Sequence, residues 1–366
     1  MSETAKAVVN SILAKVTLKS VTASTFEIKA IQWLWPDRFA IGKLGLIVGL
    51  PDEGKGQVLA DIAARVTRGG EWPCDEGVAP LGNVILLSAE DDPADTIVPR
   101  LTAAEADLSR IHIVSMVAVN DTTRMFSLAN DLPLLREKIT TIGNVNLLQI
   151  DPISAYLGVG KVDTFRTADV RAVLAPLVDL AADLKVAIIG VLHFNKKVDV
   201  TNALLRISDS LAFGATARHV YAVVDDAENK RKVVVKAKNN LATSAQKALA
   251  YNFGLRDVGA DRYTGEPIRA PHIIWHAQHL DISALEAMTA TKSPAARDEA
   301  KKFLADLLAA GPVASTEIED AAAANGISRR TLFRAKAELC VEAKQQKGKW
   351  QWHMPTPRYR GAADDD

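Results

Sequence analysis

Residues 48–57 read VGLPDEGKGQ, and their types and spacing suit an anion cradle. The pattern is G-x-x-x-x-G-K-[ST], which Gly49, Gly54 and Lys55 satisfy, whereas Gly56 stands where a hydroxyl belongs. Such a turn works only between a strand and a helix, where its amide N–H groups and the helix N-terminus converge on one phosphate. KLGLIVG supplies the strand ahead of it and GQVLADIAARVT an apolar-periodic helix behind it. Gly49, Leu50, Pro51, Asp52, Glu53, Gly54, Lys55, Gly56 and Gln57 are therefore expected to wrap nucleotide phosphates, with the Lys55 ammonium at the β- and γ-phosphates. A βα turn with a chance Gly-Lys is the alternative. Gly56 removes the hydroxyl that ordinarily holds Mg²⁺, a place water can take. Asp52 and Glu53 oppose phosphate charge unless their side chains point outward.

Three more residues end apolar runs. Asp151 closes VNLLQID, the form of a carboxylate at a strand tip that binds Mg²⁺ directly or through water; the alternative is a cap on the turn before Pro152. Pro152 follows where many ATPases carry a water-activating Glu, so a hydrolase needs its base elsewhere. Glu90, in NVILLSAEDDP, can polarise an attacking water; a solvated helix start before Pro93 is the plainer possibility. His193 closes VAIIGVLH and is either a sensor of the γ-phosphate or a structural residue.

The elements that must position these residues follow from periodicity. Near-continuous apolar runs at 43–49, 83–88, 111–117, 145–150 and 186–194 read as strands covered on both faces. They alternate with helical patterns at Gln57–Thr67, Leu132–Thr141 and Thr167–Leu184, as in a parallel sheet flanked by helices. Residues 219–238 read as an antiparallel edge hairpin. Residues 251–282 are rich in Gly, Asp and Arg, with one further strand read at 272–276. Val8, Val9, Ile12, Leu13 and Val16 give an N-terminal arm amphipathic spacing.

The order of motifs resembles the RecA/DnaB-type P-loop ATPases of the plasmid replication helicase RepA family, which includes AAA-type ATPases of phages and mobile elements. WLWPDRFAIGKLGLIVGLPDEGKG, ILLSAEDDP, LLQIDPISAYLG and VAIIGVLHFNKK carry the resemblance, over roughly residues 31–245. It implies an α/β fold with a RecA-like, mostly parallel sheet, ATP and Mg²⁺ as cofactors, and a homo-oligomeric ring, a hexamer in the family's manner. It also implies Lys55 on the phosphates, Asp151 at the metal, Glu90 as base and His193 as sensor. GATARHVYAVV resembles a stretch bearing an arginine finger, Arg218, and VVVKAKNNLA a basic hairpin whose Lys236 and Lys238 reach a neighbour's nucleotide. The departures at Gly56 and at Pro51-Asp52-Glu53 point to slow hydrolysis. The implied role is a helicase-like or helicase-loading motor on DNA in replication or maintenance of a mobile element. A nucleotide-switched DNA-binding regulator or scaffold is the alternative.

DNA contacts are expected in two places. In the loops after the Asp151 and His193 strands, Lys161, Arg166, Lys196 and Lys197 would face a channel, or be solvated. The C-terminal stretch 297–357 reads as helix, helix, turn, helix and hairpin, the order of a winged helix-turn-helix domain. Residues 327–360 hold nine Lys/Arg and two Asp/Glu, an excess of 9 − 2 = +7. Arg329, Arg330, Arg334 and Lys336 lie on its recognition-type helix, and Lys347 and Lys349 in a wing. The domain plan is thus an arm (1–30), an ATPase domain (31–285), a linker (286–296), the winged helix (297–357) and an acidic tail (358–366).

Composition excludes little more. The 366 residues are 48% apolar and 24% charged with zero formal net charge, so attraction to nucleic acid must be local. No run reaches the roughly 18 uncharged apolar residues of a membrane helix. Cys74 and Cys340 are too far apart for a disulfide framework or a zinc site, and a cytoplasmic home is expected.

Overall fold

Strands whose sequences read as unbroken apolar runs must find cover on both faces, and a nine-stranded sheet provides it. The computed structural model describes residues 20–355, apart from 121, 159–165, 196–202, 208–210, 243–245, 291–293, 328 and 347–348. Two compact units are present, residues 1–32 and 33–366. In the first, the described part holds a short turn at Ala23–Thr25 and the exposed side chains of Phe26 and Ile28. The amphipathic arm expected around Val8–Val16 lies outside the described residues.

In the second unit the sheet runs through β1 (Leu44–Gly49), β2 (Asn83–Ser88), β3 (Ile111–Val114), β4 (Val145–Asp151), β5 (Ala187–His193), β6 (His219–Asp226), β7 (Arg231–Asn239), β8 (Leu249–Ala260) and β9 (Pro267–Trp275). Its spatial order is β9-β8-β7-β6-β1-β5-β4-β2-β3. From β6 to β3 all pairings are parallel; β7, β8 and β9 extend the sheet antiparallel. This is the mostly parallel α/β arrangement expected.

Side chains alternate between two cores. Leu46, Val48, Ile85, Leu148, Ile188 and Val220 face one core, with Leu135 and Ile139 of α3 (Leu132–Ile142) and Val170 and Leu174 of α4 (Thr167–Leu184). Ile47, Val84, Leu147, Ile189 and Tyr221 face the other, with Val58, Ile62 and Val66 of α1 (Lys55–Arg68) and Leu101 of α2 (Val98–Ala103). Helix α1 stops at Gly69, whose φ of 63° is the left-handed conformation that glycine adopts without strain. Arg65 and Arg68 in its last turn face the negative end of its dipole.

Two sequence readings need correction. The strand expected over 111–117 ends at Val114, and Val117–Val119 pairs instead with Thr122–Arg124. The stretch 251–282 is largely a long hairpin, with β8 of 12 residues and β9 of 9. Tyr251, Phe253 and Leu255 do alternate with more polar neighbours, but Gly254, Gly259 and interspersed charges obscure the two-residue period.

Short helices α5 (Leu211–Thr216) and α6 (Ala284–Ala290) follow. With α7 starting at Pro294, helix occupies much of the expected linker. The C-terminal elements are α7 (Pro294–Leu308), β10 (Val313–Ala314), α8 (Ser315–Ala324), α9 (Arg329–Glu338), β11 (Glu342–Gln346) and β12 (Lys349–His353). Their strands form a three-stranded sheet, and Leu304, Ile318, Leu332 and Trp352 form their own core.

A polar clamp fastens the chain behind the sheet. Trp35 stacks on Trp72 at 4.4 Å, and the Arg38 side chain is 1% exposed. Glu76 accepts from Arg38 Nε at 2.5 Å and Trp35 Nε1 at 2.6 Å, and its other oxygen meets His279 Nε2 at 2.8 Å. Burial favours the neutral Glu76, but the bonds from Arg38, His279 and Trp35 prevail and hold its carboxyl below the usual range. Glu76→Ala leaves a buried guanidinium without its counter-charge and is expected to cost about 3 kcal/mol. Urea denaturation at neutral pH measures the loss.

Candidate functional site

Four parallel strands stand side by side and end on one edge of the sheet: β1, β5, β4 and β2. Register brings their tips into a row. Gly49 pairs with His193, and Ser88 with Asp151. Ligands of open α/β sheets bind outside such carboxyl ends. A cleft of about 470 Å³ opens there, lined by Lys55, Glu90, Asp151 and His193 together with the loop residues Pro51, Asp52, Gly54, Gly56 and Gln57. Lys55, Glu90, Asp151 and His193 thus meet in one place.

The loop's path depends on two glycines. A Cβ on Gly49 would lie 2.7 Å from the Val223 carbonyl oxygen in β6. Gly54 has φ 86° at the N-cap of α1, and a Cβ there would lie 2.4 Å from the Phe253 ring. Its carbonyl accepts from Gln57 N and Val58 N, both at 3.1 Å, opening the helix. Tyr251 Oη donates to Glu53 O at 3.2 Å, so β8 forms the back wall of the loop.

Lys55 is 5% exposed, and its ammonium donates to Leu50 O at 2.6 Å and Gly49 O at 3.3 Å. Burial lowers its pKa, against the attraction of Asp151, Glu53, Asp52 and Glu90. Asp52 points outward and is exposed, while Glu53 is 8% exposed and turned inward. Burial pushes the Glu53 carboxyl up to about 7; Asp225 adds to the rise, and Lys232 and Lys55 oppose it. Asp151 is raised to about 6, first by burial and then by Glu90, with Lys55 and Arg100 opposing. Glu90 stands exposed at the tip of β2.

Arg100, on α2, was not anticipated. Its Nη1 donates to Asp91 at 2.5 Å; with the Gln57 amide turned so that its nitrogen donates to Pro271 O at 3.0 Å, the Gln57 oxygen accepts from Arg100 Nε at 3.1 Å. A Cβ on Gly56 would lie 3.5 Å from Arg100 Nη1 and 3.9 Å from Asp151 Oδ2. At this spot a magnesium ion would find few protein ligands and would keep waters of its own. Asp151 offers one carboxylate and Gly56 nothing, and a guanidinium borders the spot a hydroxyl would occupy. Among the described residues no group of three or more His, Cys, Asp or Glu can hold a metal ion.

The remaining predicted residues lie elsewhere. Arg218 is exposed at the start of β6, its N–H bonded to Leu44 O at the opposite end of β1 from the loop. Lys236 is half-buried across from Tyr221. The Lys238 ammonium donates to the carbonyls of Gly214 and Ala217 at 2.8 and 2.7 Å, capping α5. Arg166 is exposed beside the first residue of α4. Lys161, Lys196, Lys197 and Lys347 fall outside the described residues, as do the side chains of Arg330, Arg334 and Lys349. Arg206, from the same loop as Lys196, is buried with its guanidinium 4.9 Å from the Phe194 ring. On α9, Arg329 pairs with Glu319 at 3.0 Å, and the Lys336 ammonium lies 3.9 Å from the Trp352 ring.

Two outcomes follow from this geometry. Gly54→Ala should cost at least about 1 kcal/mol, because its backbone is left-handed and its Cβ has no room. Gly56→Ala should be close to neutral, and thermal melting of the two variants gives the contrast. Glu53 binds its proton more tightly folded than unfolded, so its contribution to stability is full below the unfolded pKa near 4.3 and is lost as pH rises through about 7. Glu53→Gln should flatten the fall in stability between pH 5 and 8 by up to roughly 3 kcal/mol, read from denaturation midpoints across that range.

No curated protein matches the chain. The ATPase domain of another protein, known as a solved structure, is similar at 16% identity, covering 59% of this chain and 82% of its own, with a TM-score of 0.42; a likeness of that size carries no argument. Among the described residues no helix is long and apolar enough to cross a membrane. A family model described as an AAA domain matches residues 14–199, half of the 366-residue chain, and includes the loop, Glu90, Asp151 and His193. The chain belongs to the AAA-domain family, with the site of a P-loop ATPase.

Proposed function

We propose that the chain binds ATP at the Gly49–Gln57 loop, hydrolyses it slowly, and works as a ring ATPase on DNA, in the replication or maintenance of a mobile element. One observation carries the nucleotide reading: Lys55, Glu90, Asp151 and His193 line a single cleft at the tips of four adjacent strands. The loop amides and the Lys55 ammonium neutralise the phosphates. Glu90 orients the attacking water and takes its proton. His193, beside Gly49 in the sheet, responds to the presence of the terminal phosphate.

Assembly is part of the same reading. Arg218 sits just before β6, level with Leu44 and so about 17 Å along the strands from Gly49, too far to reach a nucleotide on its own loop, whereas Lys236, opposite Tyr221, is about 7 Å along the strands from it. A cation delivered across a subunit boundary stabilises charge on the transferring phosphoryl group. The C-terminal helix, helix, helix and hairpin are read as a winged helix that contacts duplex DNA through its basic surface, and the loops after β4 and β5 as contacts to a single strand. The role is that of a helicase-like or helicase-loading motor. Gly56 favours a second reading, a nucleotide-switched DNA-binding regulator with little turnover.

Calorimetry with ATP and phosphate release with and without single-stranded DNA test both. Lys55→Ala should abolish ATP binding. Glu90→Gln should keep binding and lower phosphate release by about 100-fold or more. Tight binding with no release, DNA present or absent, would leave the regulator; no ATP uptake by folded protein would end both readings.

A further inference from the structure

We propose that Arg100 is a second phosphate-binding cation of this cleft, standing in for the hydroxyl-held metal that Gly56 cannot support, so that the nucleotide is bound with little need of Mg²⁺. The proposal rests on the nucleotide reading above and names what holds the charge there.

Charge balance supplies the first reason. The cleft is lined by Glu90, Asp91 and Asp151, with Asp52 exposed at its rim, against two cationic side chains, Lys55 and Arg100. A triphosphate entering beside these carboxylates with Lys55 alone would meet net repulsion at contact distance, where charge interactions are least screened. Arg100 is a further cation built into the wall, where it is paired with Asp91.

Position supplies the second. Nη1 of Arg100 lies 3.5 Å from the point a side chain at residue 56 would start, and Asp151 Oδ2 lies 3.9 Å from it. The guanidinium therefore borders the spot from which a Ser or Thr hydroxyl would reach a metal. A hydroxyl-bound divalent ion and a guanidinium cannot share that spot without cation facing cation. Bare glycine at 56 and arginine at 100 are thus one arrangement.

Support supplies the third. The guanidinium is held by the bond from Nη1 to Asp91 and, with the Gln57 amide turned so that it donates to Pro271 O, by a second from Nε to the Gln57 oxygen. Neither bond uses Nη2, and the side chain is 31% exposed at the cleft wall. Asp92 sets the approach of this segment, accepting from Ala94 N at 2.7 Å and Asp95 N at 3.2 Å. A planar fork held this way can meet phosphate oxygens with little loss of side-chain freedom.

The test is equilibrium binding of ATP by the full chain, in Mg²⁺ and in excess EDTA, for the wild type, Arg100→Gln and Lys55→Ala. Removing the metal should weaken wild-type binding by less than about tenfold, and the same ratio should be at least about tenfold larger for Arg100→Gln. A wild-type ratio above about tenfold, or an Arg100→Gln ratio within about tenfold of the wild type in protein that melts normally, would overturn the proposal. A merely structural Arg100 would shift the melting temperature and leave the ratio alone. Should Arg100→Gln fail to fold, the wild-type ratio and that of Arg100→Lys decide. If the wild type binds no ATP, or binds it regardless of Lys55→Ala, the nucleotide reading fails instead; Lys55-dependent binding that ignores Arg100 sinks this inference alone.

Discussion

The edge of the sheet that does chemistry depends on how closely one turn of backbone is pressed against its neighbours. Gly49 passes under the Val223 carbonyl and Gly54 under the Phe253 ring, at separations that leave no room for a methyl group. This contact brings the first turn of α1 down onto the strand tips and points its unsatisfied N–H groups toward the row formed by β5, β4 and β2. Strands β6 and β8 thus do more than extend the sheet. Through Val223, Tyr251 and Phe253 they supply the wall that the loop leans on.

Electrostatics build on that frame and partly oppose it. The same close packing that shapes the loop buries Glu53 and Asp151, and burial disfavours their charged forms. Lys55 suffers the same penalty in the opposite sense and turns to the carbonyls of Gly49 and Leu50. Carboxylates and ammonium moderate one another, so that removing any one changes the protonation of the rest.

Much of this was legible in the sequence where signals are local. Strand, glycine turn and helix are contiguous over residues 43–68, and the apolar runs ending in Ser88, Asp151 and His193 announce their tips. What periodicity does not carry is which way a side chain turns. Asp52 and Glu53 are adjacent acids in one loop, yet one faces solvent and the other is buried against Asp225 and Lys232. Lys238 looks like an available cation in a basic hairpin, yet its ammonium caps α5. Arg100 lies 44 positions beyond Gly56 on a six-residue helix, and only the pairing of β2 with β4 and the packing of α2 near α1 bring the two together. The long β8–β9 hairpin was hidden by glycines within its alternating pattern.

The sheet order also divides the labour. Residues that hold, orient and polarise are gathered at the carboxyl ends of β1, β5, β4 and β2, whereas Arg218 begins β6 at the amino end of the same parallel set. No side-chain movement spans that length, because a strand is a rigid spacer and an arginine extends only about 7 Å from its Cα. A single chain therefore carries a cleft equipped to bind a nucleotide and a cation it cannot bring to that cleft. Arg218 thus stands outside the cleft of its own chain, whose lining is Lys55, the loop and the charges packed around residue 56.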